Sequence, residues 1–360
     1  MNTPRPYLSV VVPVHRGERV LRQSLPALCA SDLPRAEWEL IVVDDASGDD
    51  TPDIAAEYAD VVIRLEGNPR GPAFARNRGV EACRGEVVVF IDADVCVQPD
   101  VLASFARVCL TEPDVAAVFG SYDADPVAPG VISQFRNLLH HHVHQCNAGD
   151  AETFWAGCGA VRRDVLVEIG LMDARQFPRP QIEDIELGRR LRRAGHRILL
   201  RPDIQCAHLK QWTLRNMIVT DFRDRGVPWM RLLLSEGATQ TPATLNLRAR
   251  EKLCTALVAL AALALVATVW SGSIIPMVIA GACVLLIVAL THQFYRLLVR
   301  TRGAGFALAV VPLQLVFYFT GGMAAVAGAL LHYADRVPSR VEGPAAGRSG
   351  AIVPPPADRA

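Results

Sequence analysis

Charge is missing from two long stretches of this 360-residue chain. No Asp, Glu, Lys or Arg occurs among the 43 residues between Lys252 and Arg296, or among the 32 between Arg302 and Asp335. Soluble cores rarely supply such runs, whereas a membrane-crossing helix needs roughly 20 apolar residues. The first stretch fits two spans, about Leu253–Trp270 and Ile274–Leu290, broken by Ser-Gly-Ser and Pro276. The second fits one longer span, about Phe306–Leu331, which Pro312 and Gly321-Gly322 could bend back. A surplus of charge of either sign is also lacking. The 37 basic residues balance 37 acidic ones, so nothing global points to nucleic acid as a partner. The nine cysteines contain no CxxC pair and no regular spacing. That excludes a disulfide scaffold or zinc module and fits unpaired thiols in a reducing compartment. The opening residues, MNTPRPYLSV, lack the basic-then-apolar pattern of a cleavable signal.

The charges that are present orient the chain. Arg248, Arg250 and Lys252 precede the first span, and Arg296, Arg300 and Arg302 separate the second from the third. Basic flanks stay on the cytoplasmic side, so the N-terminal part is expected there, and three crossings would leave the C-terminus outside. Before the spans, Trp212, Leu214, Met217, Ile218, Phe222 and Trp229 alternate with Arg215, Arg223, Arg225 and Arg231. Tryptophan mixed with arginine predicts amphipathic helices at a membrane surface. The expected division is an α/β domain over 1–210, interfacial helices over 211–250, about three spans over 251–332 and a disordered tail over 333–360.

Within 1–210, apolar runs alternate with helical patterns. LSVVVPV, ELIVVDD, DVVIRLE, EVVVFIDAD and VAAVFGS read as strands; helices are expected near 18–30, 51–58, 72–83 and 99–110. Continuous apolar strands between helices predict a parallel sheet covered on both faces, with ligands bound beyond the carboxyl ends of the strands. The polar residues fall at those ends. In FIDADV, Asp92 and Asp94 are two apart, so in an extended chain both side chains aim the same way. Two converging carboxylates repel unless a cation joins them, and hard oxygen ligands suit Mg2+ or Mn2+ bridging to phosphate oxygens. His208, ending the strand RPDIQCAH, is a candidate further ligand. Glu183-Asp184 opens a helix in which Ile185, Leu191 and Ala194 can face inward, Arg189, Arg190, Arg192 and Arg193 stay in water, and Gly195 ends the helix. His140 to His144, HHHVH, reads as a polar helix face near lipid headgroups.

VVDDASGDDT, GPAFARNRGV, FIDADV, WAGCGAVRRDVLVEIGLMDA and QIEDIELGRRLRRAG, in this order, resemble the family-2 glycosyltransferases of GT-A fold over about residues 7–210. The resemblance implies a nucleotide-diphospho-sugar transferase domain with a Rossmann-like mixed sheet, a nucleotide-sugar donor and a divalent metal. Pro13 and its backbone would border the nucleotide, Asp45 with Asp44 would hold the base, and Arg76 would lie near the nucleotide. Asp92 and Asp94 match the DXD motif, whose second acid touches the metal. Asp184 matches the catalytic base, supported by Glu183, for a single inverting displacement in which an acceptor hydroxyl loses its proton. Trp155, Gly157 and Cys158 fall on the acceptor-side loop. His15-Arg16 departs from the Tyr-Asn that relatives carry, and the QxxRW motif of processive members is not present, which argues against polymer synthesis. A base suits a hydroxyl on a membrane lipid or lipid-linked glycan, whereas a polyprenyl phosphate needs none. Transfer to a polyprenyl phosphate and a catalytically silent membrane scaffold are the alternatives.

Overall fold

The structure, a computed structural model, describes residues 5–237 and 249–336. Nine strands form one sheet: β1 (Leu8–Val14), β2 (Trp38–Asp45), β3 (Val61–Leu65), β4 (Val87–Ile91), β5 (Val95–Val97), β6 (Val115–Tyr122), β7 (Gly149–Ala151), β8 (Cys158–Arg162) and β9 (Arg197–His208). Their spatial order is β3-β2-β1-β4-β8-β6-β9-β5, with β7 on β9. The strands β3 to β4 are mutually parallel, β8 runs antiparallel between β4 and β6, and β6 pairs parallel with β9. The sheet is therefore mixed, not purely parallel. All residues of β1 and β4 are buried, as continuous apolar strands in a doubly covered sheet must be.

Strand alternation sorts the core into two layers. Val10 and Val12 face helices α1 (Glu18–Cys29) and α4 (Val101–Thr111), reaching Leu21, Leu25 and Phe105. Val11 and Val43 face the other way, toward a layer that includes Ala75 and Val80 of α3 (Pro72–Ala82) and Leu187 and Leu191 of the helix Glu183–Arg193. The remaining helices of this half are α2 (Thr51–Ala56), α5 (Val131–Gln145), α6 (Arg163–Glu168) and α7, which is Glu183–Arg193 itself.

Helix α7 departs from the expected pattern. Its inward face is Leu187, Gly188 and Leu191; Ala194 is exposed and Arg189 is buried. A Cβ on Gly188 would stand 2.2 Å from the Phe154 nitrogen, so the helix rests backbone-to-backbone on that strand approach. Arg189 is buried because it is neutralised: Glu236 accepts from it at 2.8 and 2.9 Å. Gly195 does end the helix, with φ of 87°.

The chain then runs through α8 (Leu214–Val219), a π-helical stretch (Thr220–Gly226) and α9 (Val227–Ser235). Four apolar or amphipathic helices follow: α10 (Ala249–Ser271), α11 (Ile274–Leu290), α12 (His292–Arg302) and α13 (Ala304–Ala334). Among the described residues two helices, α10 and α13, are each long and apolar enough to cross a membrane, and α11 with α12 could form a third crossing bent by 75°. Side chains such as Leu263, Val266, Trp270, Leu285 and Leu308 are exposed, which suits anchoring in lipid. Helix α13 runs unbroken through Pro312, where a reversal had been conceivable, because its 31 residues continue as one α-helix. The tail is expected from 333, but α13 continues through Tyr333 and Ala334; the rest of it beyond 336, and the segment 238–248 with Arg248, lie outside the described residues.

Trp212 and Met217 are buried in a cluster with Phe135 and Leu138 of α5, Phe294 and Leu298 of α12, and Val310 of α13. The segment after 211 is thus wedged between the sheet domain and the apolar helices. Arg136 on α5 fixes it with two bonds to the Asp221 carboxylate, 2.8 and 3.0 Å. The histidine run on α5 is not a wet face. His141 and His144 are buried and donate from Nδ1 to the Tyr122 and Gly120 carbonyls, 2.8 and 3.1 Å, while His142 packs on Phe294. Burial holds His144 and His142 near pKa 4, uncharged at neutral pH. The histidines therefore serve as packing joints to the sheet and to α12.

Candidate active site

Strands β1, β2 and β4 are parallel neighbours, so their carboxyl ends lie along one edge of the sheet, where an open α/β sheet binds its ligand. At β1, Pro13 is buried and paired with Val43. The following loop is tied across to the β2 loop. His15 Nδ1 donates to the Asp45 carbonyl (2.7 Å), the Arg16 amide donates to Ser47 Oγ (2.7 Å), and the Gly17 amide donates to Thr51 Oγ1 (2.9 Å). Arg16 and Ala46 both take positive φ, 51° and 56°, which non-glycine residues adopt only where neighbours force it. Asp44 accepts from the Ser47 hydroxyl and amide. Asp45 accepts from the Arg70 and Gly71 amides at 2.7 to 3.0 Å. Both carboxylates are buried and organise the loop around them. Gly71 has φ of 87°, and a Cβ there would stand 2.6 Å from the Pro178 carbonyl oxygen, so the turn before α3 lies tight against the 173–182 loop.

Arg76 is the buried hub. Its guanidinium donates to Asp92 (2.6 Å) and Glu183 (3.0 Å) from opposite ends, joining the end of β4 to the start of α7. Burial opposes its charge, but Asp92, Glu183 and Asp184 outweigh that, and its pKa is raised. Asp92 nonetheless holds its proton more tightly than usual, through burial and the Asp94 charge, against the pull of Arg76.

Asp94 turns to a different partner. Its carboxylate lies 3.4 Å from His208 Nε2, brought there because Val95 pairs with His208 across β5 and β9. Burial would raise its pKa, but His208 and the Lys210 ammonium prevail and it is lowered. Asp92 and Asp94 are thus neighbours with divided duties: the first is bound to Arg76, the second to the His208 side. Among the described residues no third His, Cys, Asp or Glu completes a metal cluster there. A separation of 3.4 Å suits two adjacent ligands of one small ion, each roughly 2.0–2.2 Å from it. Mg2+ and Mn2+ sites commonly take their other ligands from water and phosphate, so Asp94 with His208 fits such an ion.

Glu183 is buried, bonded to Arg76 and to the Gln181 amide (2.9 Å). Asp184 is the freer acid. It accepts from the Ala156 amide (3.1 Å) and the Ile185 amide (2.8 Å) and keeps a partly exposed side chain. Burial and the neighbouring Glu183 push its pKa up to about 6, with Arg76 opposing. The Ala156 contact brings the Trp155–Cys158 loop against this acid, and the Asp92 amide donates to the Gly157 carbonyl (3.1 Å). The acid pair at β4, the acid pair at α7 and the Trp155 loop therefore form one continuous wall.

Two residues of this wall escaped the motif reading. Tyr122, ending β6, stacks on His208 with centroids 4.5 Å apart and planes 11° from parallel. Its signal was available: an aromatic at the end of an apolar strand. Lys210 is the second, two residues beyond His208, and its ammonium lies 4.4 Å from the Trp212 ring. Burial lowers its pKa, with the Asp94 charge acting against that.

Residues 9–170 match the model of the family described as Glycosyl transferase family 2. The chain carries a family-2 glycosyltransferase domain of GT-A fold, followed by long apolar helices. A stretch of 102 residues is 35% identical to the poly(ribitol-phosphate) beta-N-acetylglucosaminyltransferase TarS of Staphylococcus aureus, covering 27% of this chain and 18% of TarS. Another, of 113 residues, is 35% identical to the putative glycosyltransferase EpsH of Bacillus subtilis, covering 31% of this chain and 32% of EpsH. The matches thus span under two thirds of the length of these curated relatives. The solved structure of the mannosyltransferase PcManGT from Pyrobaculum calidifontis, in complex with GDP-Man and Mn2+, superposes with a TM-score of 0.57. It is 21% identical and covers 92% of this chain and 88% of that one, a likeness of fold.

Proposed function

We propose that this protein is a membrane-anchored inverting glycosyltransferase. It moves a sugar from a nucleotide-diphosphate donor to a hydroxyl on a membrane lipid or lipid-linked glycan. The observation that carries this reading is the pair of distinct acids on one wall: Asp94 beside His208, and Asp184 held near pKa 6. The donor lies over the ends of β1, β2 and β4, its base toward the loops that Asp44 and Asp45 organise. Asp94 and His208 would hold a divalent ion, which would supply positive charge against the negative charge of the departing diphosphate. Arg76 fixes Asp92 and Glu183, so the β4 end and the α7 start keep one geometry. Asp184 takes the proton of the acceptor hydroxyl at its carboxylate oxygen. A pKa near 6 leaves it ionised at neutral pH yet basic enough to accept a proton. The domain sits over the cytoplasmic face, with the α8–α9 segment at the membrane surface.

Lys210 supports a second reading. Its ammonium makes no carboxylate contact among the described residues and faces the Asp94 side, where an acceptor phosphate would be welcome. That favours a polyprenyl phosphate, which needs no base. Purified full-length protein, offered a panel of nucleotide sugars with Mn2+ and membrane lipid extract, separates the two. Loss of transfer in both Asp94→Asn and Asp184→Asn supports the hydroxyl acceptor. Loss in Asp94→Asn alone sinks it in favour of the phosphate, and no transfer by wild type sinks both.

A further inference from the structure

The elbow between α11 and α12 holds an open groove of about 460 Å³, walled by Leu285, Val288, Ala289 and Val299 and edged by Arg296 and Arg300. The two helices meet at 75°, so when α11 crosses the bilayer α12 lies nearly in its plane. His292, Arg296 and Arg300 stand at i, i+4 and i+8 and share one face of α12. The opposite face is already committed: Phe294 and Leu298 are buried against α5 and the 212–217 segment. Arg302, one turn further, is also committed, bonded to Asp125 (2.8 Å) and Gln134 (3.1 Å). Arg296 and Arg300 are exposed and make no ion pair among the described residues. Two uncompensated guanidiniums thus border an apolar trough at the level where a transmembrane helix turns into the interface.

We propose that this groove is a binding site for an anionic membrane phospholipid. An acyl chain lies along Leu285, Val288 and Val299, and the headgroup phosphate is held between Arg296 and Arg300. Charge complementarity selects this occupant. Guanidiniums bind phosphate oxygens through paired N–H donors, and each basic residue near an anionic surface adds measurably to lipid affinity. The apolar wall requires a lipid tail and not a soluble anion. The site is separate from the cleft at Asp94 and Asp184 and stands whether or not the proposed transfer reaction is correct.

The test uses full-length protein in neutral detergent, titrated with phosphatidylglycerol or phosphatidylcholine and read by native mass spectrometry of retained lipid. Wild type should retain phosphatidylglycerol roughly tenfold or more over phosphatidylcholine, given two interfacial arginines. Arg296→Gln/Arg300→Gln should lose that preference. Arg296→Lys/Arg300→Lys should keep much of it, and Arg107→Gln on α4 should keep all of it. Should the glutamine variant fail to fold, wild type read at rising NaCl replaces it, and the preference should fade with salt. Equal retention of both lipids by wild type overturns the proposal. So does a preference that survives the double glutamine change or high salt.

Discussion

Asp184→Asn should make the protein more stable and inactive at once. The carboxylate is held near pKa 6 against an ordinary 3.8, so the folded state favours its protonated form. The sign follows from linkage. A raised folded-state pKa adds stability at low pH, and this contribution is lost as pH rises through about 6. One pKa unit is worth about 1.4 kcal/mol, so ionised Asp184 costs the fold up to ~3 kcal/mol at pH 8. Solvent reaching the cleft side trims that figure. Asparagine keeps one side-chain acceptor for the Ala156 or Ile185 amide and loses the other, a cost of about 1 kcal/mol. The net gain should be about 1 kcal/mol at pH 8 and absent, or reversed, at pH 4. Thermal unfolding of the detergent-solubilised protein, followed by tryptophan fluorescence at both pH values, reads this directly. Transfer to a hydroxyl acceptor should fall at least ~100-fold. A variant destabilised equally at pH 8 and pH 4 would show that Asp184 is not strained by its charge. One that keeps wild-type rates would remove it from the chemistry.

The wild-type rate should fall as pH drops through about 6, as Asp184 gains its proton, and a flat profile between pH 5 and 8 would contradict that assignment. Asp94→Asn should abolish Mn2+-dependent stabilisation by nucleotide sugar in a thermal-shift titration and also lower the metal-free melting temperature modestly at neutral pH, because it gives up the attraction to His208 and Lys210 that holds the carboxyl below its usual range. Arg76→Met should cost about 3–5 kcal/mol in urea unfolding, because it strands Glu183 and Asp92 without their cation. Gly188→Ala should destabilise by about 1–3 kcal/mol and shift the Asp184 rate limb, because its Cβ would push α7 away from the Phe154 backbone.

The strands were legible because their signal is local. VVVFI is apolar at every position and LSVVVPV at all but Ser9, and only a strand buried on both faces accepts such runs. The antiparallel insertion of β8 was not legible, since the apolar content of CGAVR is the same whichever direction it runs. At the site, the spacing of Asp92 and Asp94 put both acids at one strand end, but spacing says nothing about partners. That Arg76 takes one acid and His208 the other depends on residues far apart in sequence. The histidine run misled for a related reason. Imidazole is polar in composition, yet a neutral ring that donates to a carbonyl packs as readily as an aromatic. Arg189 misled similarly, because its neutralising partner Glu236 lies 47 residues away.

Two glycines at the contact between the 220–235 segment and α13 carry a mechanical consequence. A Cβ on Gly226 would stand 2.5 Å from the Ala324 Cβ, and one on Gly328 would stand 2.8 Å from the Met230 Cβ and 2.9 Å from the Val227 carbonyl oxygen, so each glycine lets its helix sit directly on the other's Cβ atoms and backbone. Such a seam does not slide. With α13 anchored in lipid as proposed above, a tilt of that helix would carry the attached sheet domain with it, like a blade fixed to its handle.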